Sequence, residues 1–167
     1  MLIQLSVLAC LEEDTGTSTY DLFDMIAGSS SGGLITCLIL GRRISAGQII
    51  QMALQEKLLE KMMVAHWMHR LLNKLQIRPK YTGKQKSSTL QAELANLRLS
   101  SLSKRILIPC FNLNQDRLEI FTNENSFDFL LSEIADACTA APSYYPPVRM
   151  EDGNWRMDGG VGMNNPG

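Results

Sequence analysis

Residues 20–40 read YDLFDMIAGSSSGGLITCLIL, and this stretch decides the fold. Its first part, residues 20–27, leads into a cluster of small residues, Gly28-Ser29-Ser30-Ser31-Gly32-Gly33. An almost unbroken apolar run over 34–40 follows, closed by Gly41-Arg42-Arg43. The pattern predicts a buried strand, a tight turn and a buried helix ended by glycine and basic residues. Gly28-x-Ser30-x-Gly32 then sets a serine between strand and helix. Small neighbours let the backbone fold sharply and let a substrate approach, as an exposed serine nucleophile requires. The helix would aim its N-terminus at the site, with the Ser31 N–H facing a developing oxyanion. The same five residues also fit a plain Ser/Gly loop or a phosphate-binding turn.

Upstream, Leu2, Leu5, Leu8 and Ala9 repeat at helical spacing before Glu12 and Glu13, which predicts an amphipathic helix stopped near Gly16. A signal sequence is not expected, because no basic region precedes the apolar residues. Downstream, residues 45–75 read as one long helix with Ser45 as N-cap, broken by 79–83. A helix is predicted over 89–97, and strands over 105–112 and 118–122 form a hairpin through Asn114-Gln115-Asp116. A helix over 130–139 precedes the proline-rich stretch 140–147. A second hairpin, 148–150 with 155–157, delivers Asp158-Gly159-Gly160 at a strand end. Strands alternating with helices give the α/β class.

A serine nucleophile needs a base. The only histidines, His66 and His69, lie three apart on the predicted long helix. A Ser-His-Asp triad in α/β-hydrolase order would need a histidine after the acid, and none follows Asp158. No carboxylate cluster completes a metal pair with them, so they read as partly exposed helix residues. Asp158 is the remaining candidate, with Gly159 and Gly160 freeing the backbone to turn. A carboxylate there could accept the serine proton directly if burial raises its pKa. Asp-Gly-Gly reads equally well as a simple turn.

Composition narrows the classes. The chain of 167 residues suits one domain, and 45 % hydrophobic with 20 % charged residues suits a single globular core. A formal net charge of −1 argues against a nucleic-acid binder. The densest basic stretch, with Arg78, Lys80, Lys84 and Lys86, reads as a solvated loop. Four cysteines (Cys10, Cys37, Cys110, Cys138) lie far apart in apolar runs, which predicts buried free thiols and neither zinc nor disulfides. No run reaches the roughly 18 apolar residues of a membrane span. Leu58, Leu59, Met62, Met63, Trp67, Met68, Leu71 and Leu72 form one stripe on the long helix. It reads as core in preference to a lid or a bilayer-facing surface.

Taken together, these motifs resemble the patatin-like phospholipase family. The likeness runs through LEEDTGTSTYDLFDMIAGSSSGGLI (11–35), PKYTGK (79–84), RILIPCFNL (105–113), ADACTAAPSYYPP (135–147) and MDGGVGMNNP (157–166). It implies an α/β, three-layer fold with a mostly parallel central sheet, related to the cytosolic phospholipase A2 catalytic domain. It implies a Ser–Asp dyad without histidine, the GxSxG serine falling on Ser30 and the DGG aspartate on Asp158. Gly28, Ser31, Gly32 and Gly33 would form the elbow and oxyanion region, and Gly159 and Gly160 complete the DGG motif. Asn164 and Asn165 fall on the family's NNP segment, where they would shape the site. The implied chemistry is acyl-ester hydrolysis of a lipid or phospholipid through an acyl-enzyme, with no metal and no organic cofactor. The implied setting is cytoplasmic, with peripheral contact at membranes or lipid droplets and no nucleic-acid partner.

Family members carry a strand and a glycine-rich oxyanion loop just before the first helix, which this sequence lacks. Residues 1–167 are therefore expected to be a partial domain without its first strand. Two functional expectations result, an active lipid acyl hydrolase and a catalytically silent fragment or lipid-binding module. A third, a Ser-His-Asp esterase, requires His66 or His69 to reach Ser30.

Overall fold

The computed structural model describes residues 1–55, 58–63, 79–124 and 127–162. Helix α1 (Leu2–Thr15) ends at Gly16, whose φ of 65° is the left-handed stop expected there. Ser18 caps a short α2 (Thr19–Leu22), its hydroxyl accepting from the Asp21 amide and donating to the Asp21 carboxylate. That local cap shortens the strand predicted over 20–27 to β1 (Met25–Ala27). Helix α3 (Ser31–Arg42) is buried at every position from Gly33 to Leu40. A helix apolar on nearly every face belongs in a core, and its one buried polar side chain, Thr36, donates to Gly32 O at 2.9 Å.

The long helix predicted over 45–75 is broken. Helix α4 (Ala46–Leu54) begins with the expected Ser45 cap, a reciprocal pair with Gln48. It stops before α5 (Leu58–Met62), and residues 56–57 and 64–75 of the prediction lie outside the described residues. At 100° per residue, Leu58 would sit about 180° around a continuous helix from Ile49. Ile49, Met52, Leu58 and Met62 are all buried, so the break lets both faces reach the core. Leu58 and Met62 therefore keep the core reading, whereas Met63 is exposed. Trp67, Met68, Leu71 and Leu72 fall outside the described residues. The carboxylate of Glu12 joins α1 to α2 and α4, accepting from the Thr19 amide at 2.8 Å and the Ala46 amide at 2.9 Å.

Helix α6 (Lys84–Leu94) starts and stops earlier than the predicted 89–97, because Gly83 opens it and Ala95, at φ 47°, turns the chain out of it. Strands β2 (Arg105–Asn112) and β3 (Arg117–Phe121) form the expected hairpin. Helix α7 (Leu131–Cys138) comes next, then the hairpin of β4 (Val148–Arg149) and β5 (Trp155–Asp158).

The sheet is mixed. β1 pairs parallel with β2, while β2–β3, β2–β5 and β4–β5 are antiparallel. The expected mostly parallel sheet is thus limited, among the described strands, to the pair holding the Ser30 turn. Both remaining hairpins have connections too short for a parallel crossover. β1 and β5 share one edge of β2. Arg105 N donates to Asp24 O and Leu107 O accepts from Gly28 N, while Leu113 N donates to Trp155 O. Odd-numbered residues of β2 turn their peptide groups toward both strands, so β1 and β5 meet end to end along that edge.

Helices α3 and α7 pack together over β2, where Ile106, Ile108 and Cys110 are buried with Cys37, Leu38, Ile134 and Cys138. Cys10 departs from the buried-thiol expectation, because it lies on the solvent side of α1. Among the described residues no single helix is long and apolar enough to cross a membrane. The bent pair α3–α4 has the composition for it, but most of its apolar residues, Leu54 excepted, belong to the core.

Candidate active site

β1 ends at Ala27 and α3 starts at Ser31, leaving three residues to reverse the chain. Ser30 holds φ 53° and ψ −122°, a conformation costing a β-carbon residue about 1–3 kcal/mol. The buried length of α3 supports that strain. Gly28 is required by close approach, since a Cβ there would lie 2.4 Å from the Gly32 carbonyl. Gly33 is held by α7, with the Cys138 sulfur 2.7 Å from where its Cβ would be. Gly32 differs, because its nearest neighbour would be the Gln4 side-chain nitrogen at 3.8 Å. Its smallness leaves open space toward α1 instead of relieving a clash. Ser31 opens α3, so its N–H is not consumed by the helix ladder.

Asp158 is the last residue of β5 and is 5 % exposed. Its Oδ2 accepts from Ser30 Oγ at 2.6 Å and its Oδ1 from Gly160 N at 2.8 Å. With both oxygens engaged, the carboxylate is held in one orientation toward the serine. Its own amide donates to Ala140 O at 3.2 Å. A Cβ at Gly159 would fall 2.2 Å from Pro109 O, so the chain can pass β2 there only as glycine.

Ser30, Asp158 and Gly160 line a cavity of about 240 Å³ closed by Ala141, Pro142 and Val161. Two roomier hollows lie away from the pair. One, of about 460 Å³, is bounded by α1 and the other side of the serine turn, through Ile3, Val7, Leu8, Gly28 and Ser29. The other, of about 400 Å³, lies between α6 and the β4–β5 hairpin. Of these three, formed by the described residues, the smallest contains the hydroxyl and carboxylate, so it is the candidate site.

Several neighbours left no signal in spacing. Cys138 donates to Ser30 O at 3.6 Å and to Ala135 O at 3.4 Å. Burial holds its thiol well above the usual range, so it stays protonated. Ala140, Ala141 and Pro142 were visible in the sequence only as part of the ADACTAAPSYYPP block. Arg156, two residues before Asp158 on the same strand face, is 1 % exposed, and pairs with Glu119 at 2.8 Å and Asp152 at 2.6 Å while lying over the edge-to-face rings of Phe121 and Phe129. His66, His69, Asn164 and Asn165 lie outside the described residues. No group of three or more potential metal ligands occurs among the described residues.

The family model described as patatin-like phospholipase matches residues 1–166. Patatin-like protein 2 of Arabidopsis thaliana is 32 % identical over 87 % of this chain and 41 % of its own length. Patatin-like protein 4 of the same plant is 29 % identical over 93 % of this chain and 43 % of its own. A third Arabidopsis relative, named a probable inactive patatin-like protein 9, is 28 % identical over 87 % of this chain. The chain spans less than half the length of these relatives. In fold it is similar to VipD from Legionella pneumophila, with a TM-score of 0.56 over 99 % of this chain and 44 % of that one, at 13 % identity.

Proposed function

The chain belongs to the patatin-like phospholipase family, and from that premise we propose that it is a lipid acyl hydrolase working through Ser30 and Asp158. The observation that carries this reading is the 2.6 Å hydrogen bond from Ser30 Oγ to Asp158 Oδ2, made from a strained strand-to-helix turn. Asp158 accepts the hydroxyl proton as Ser30 Oγ attacks the ester carbonyl. The tetrahedral intermediate collapses, the alcohol leaves with the proton from Asp158, and the acyl group remains on Ser30. Water then gives a proton to Asp158 and attacks the acyl-enzyme. Ser30 departs, regains its proton, and the fatty acid is released. The Ser31 N–H at the start of α3 is one donor for the oxyanion. Ala141, Pro142 and Val161 supply apolar walls for the substrate. A lipid substrate brings peripheral contact with an aggregate surface, in a cytoplasmic setting or at lipid droplets.

A second reading, a lipid-binding module without turnover, is favoured by the free side of β1. Among the described strands β1 pairs only with β2, and the hollow beside Gly28 and Ser29 is open. A site short of oxyanion donors on that side loses about 10²- to 10³-fold in rate per donor. The experiment is fatty-acid release from phosphatidylcholine micelles by wild type, Ser30→Ala and Asp158→Asn. Release by wild type alone supports the hydrolase. Equal release by Ser30→Ala contradicts it, and micelle binding by all three without release selects the module.

A further inference from the structure

The basic segment 78–86 was expected to be a solvated loop, yet its last part forms the start of α6 and Lys86 there is 1 % exposed, whereas Lys84 is exposed. Its Nζ donates to Asp136 O at 2.8 Å and to Thr139 Oγ1 at 3.3 Å. It also lies 2.9 Å from Asp136 Oδ1, which has charge compensation but no aligned N–H, and 4.3 Å from the centre of the Tyr145 ring. Ser87 Oγ donates to the other carboxylate oxygen at 2.5 Å. The ammonium thus closes the carbonyl end of α7, where a positive charge is favourable.

The chain leaving that helix end reaches the site. Cys138 bonds to the Ser30 carbonyl, the Ala140 carbonyl accepts the Asp158 amide, and Ala141 with Pro142 walls the cavity. The same strap is fastened by the segment preceding α6. Lys80 N donates to Ser143 O at 2.9 Å and Tyr81 N to Tyr144 O at 2.8 Å. Tyr81 and Tyr145 pack with ring centres 5.1 Å apart.

We propose that Lys86 is a positioning residue for the Ser30–Asp158 pair, acting through the last turn of α7 and the strap of residues 139–145. A buried ion pair is a poor device for stability alone, since two apolar side chains of similar volume often serve as well or better. What apolar residues cannot supply is direction. Lys86 bonds to a main-chain carbonyl and a threonine hydroxyl, fixing where the strap leaves the helix. The last turn of α7 in turn touches the backbone of Ser30 through Cys138, and the strap touches that of Asp158 through Ala140. The segment 79–86 is therefore part of the site at one remove, although it lines neither the serine nor the carboxylate. This rests on the reading of Ser30 and Asp158 as the reacting pair.

The test is Lys86→Met combined with Asp136→Leu, which removes both charges and keeps the volume. Amide exchange by NMR and inactivation by a fluorophosphonate are measured on this variant and the wild type. The expected variant is folded, with exchange at Asp158, Lys80 and Tyr81 faster by about tenfold or more and exchange in α3 unchanged. Its limiting phosphonylation rate falls about tenfold or more, while half-saturation is unchanged. Unchanged exchange at Asp158 overturns the proposal whatever the rate does. A wild type that does not react at Ser30 overturns the hydrolase reading instead, and exchange at Asp158 alone then decides this one. Should the double variant fail to fold, Thr139→Val, which removes one Nζ acceptor, should accelerate the same amides, and no acceleration overturns the proposal.

Discussion

Ser30 Oγ donates to Asp158 Oδ2 at 2.6 Å across a sequence separation of 128 residues. The contact arises from how two short strands share a third. β1 runs along one edge of β2 and β5 comes back along the same edge from the opposite end. The serine lies just past the end of one strand and the aspartate ends the other. Few other arrangements would bring a turn before one helix and a hairpin so far along the chain into hydrogen-bond range.

Gly159 and Gly32 should differ sharply in their response to alanine. At Gly159 the new carbon would meet the Pro109 carbonyl at 2.2 Å, and neither backbone can yield cheaply. Gly159→Ala should lose about 1–3 kcal/mol of stability in urea denaturation. Gly32→Ala gains only an ordinary contact on the first turn of α3, and should stay within about 0.5 kcal/mol of wild type. Equal losses would mean that close approach is not what selects these glycines.

Arg156 should be the costliest charge to remove from the β-hairpins. Its guanidinium is 1 % exposed and answers both Glu119 and Asp152. Arg156→Met leaves two carboxylates without their partner beside Phe121 and Phe129, and should destabilise by about 3 kcal/mol. The same denaturation measurement on Glu119→Gln with Arg156→Met should recover part of that loss.

Acid should act through the same cluster. Hydrogen bonds from Arg156 push the Asp152 carboxyl down to about 2. Because the folded value lies below the unfolded one, the stabilisation is present above about pH 4 and is lost as pH falls through about 2. Glu133 works in the opposite sense, since burial raises its pKa, and its contribution is lost as pH rises through its folded value. Unfolding free energies between pH 2 and 6 should therefore fall less steeply toward acid in Asp152→Asn than in wild type. Identical slopes would show that Asp152 does not set the acid response.

His66→Ala and His69→Ala should leave ester hydrolysis within about twofold of wild type, because Asp158 already accepts from the serine without an imidazole between them. A loss above about tenfold in either variant would favour a histidine-based triad.

Much of the fold was legible where periodicity and caps agree. Gly16, the Ser45 cap, the apolar run over 34–40 and both hairpins announce themselves locally. The break between α4 and α5 was hidden because one apolar stripe can serve two faces when the helix bends. The strand predicted over 20–27 shrank because Ser18 and Asp21 cap a helical turn inside it. In the candidate site, Ser30 and Asp158 stood out through their glycines. Lys86 and Arg156 did not, because charged residues read as solvent-facing until their distant partners are known. The shared edge of β2 is likewise a non-local fact, invisible in any window around either strand.

Ser30 as a nucleophile activated by Asp158 is tested most simply by the intact mass of the protein after exposure to a fluorophosphonate, with the modified residue located by peptide mapping. One adduct is predicted, on Ser30, absent in Ser30→Ala and formed much more slowly in Asp158→Asn. A folded wild type that gains no adduct, or one modified equally in Asp158→Asn, would contradict that assignment.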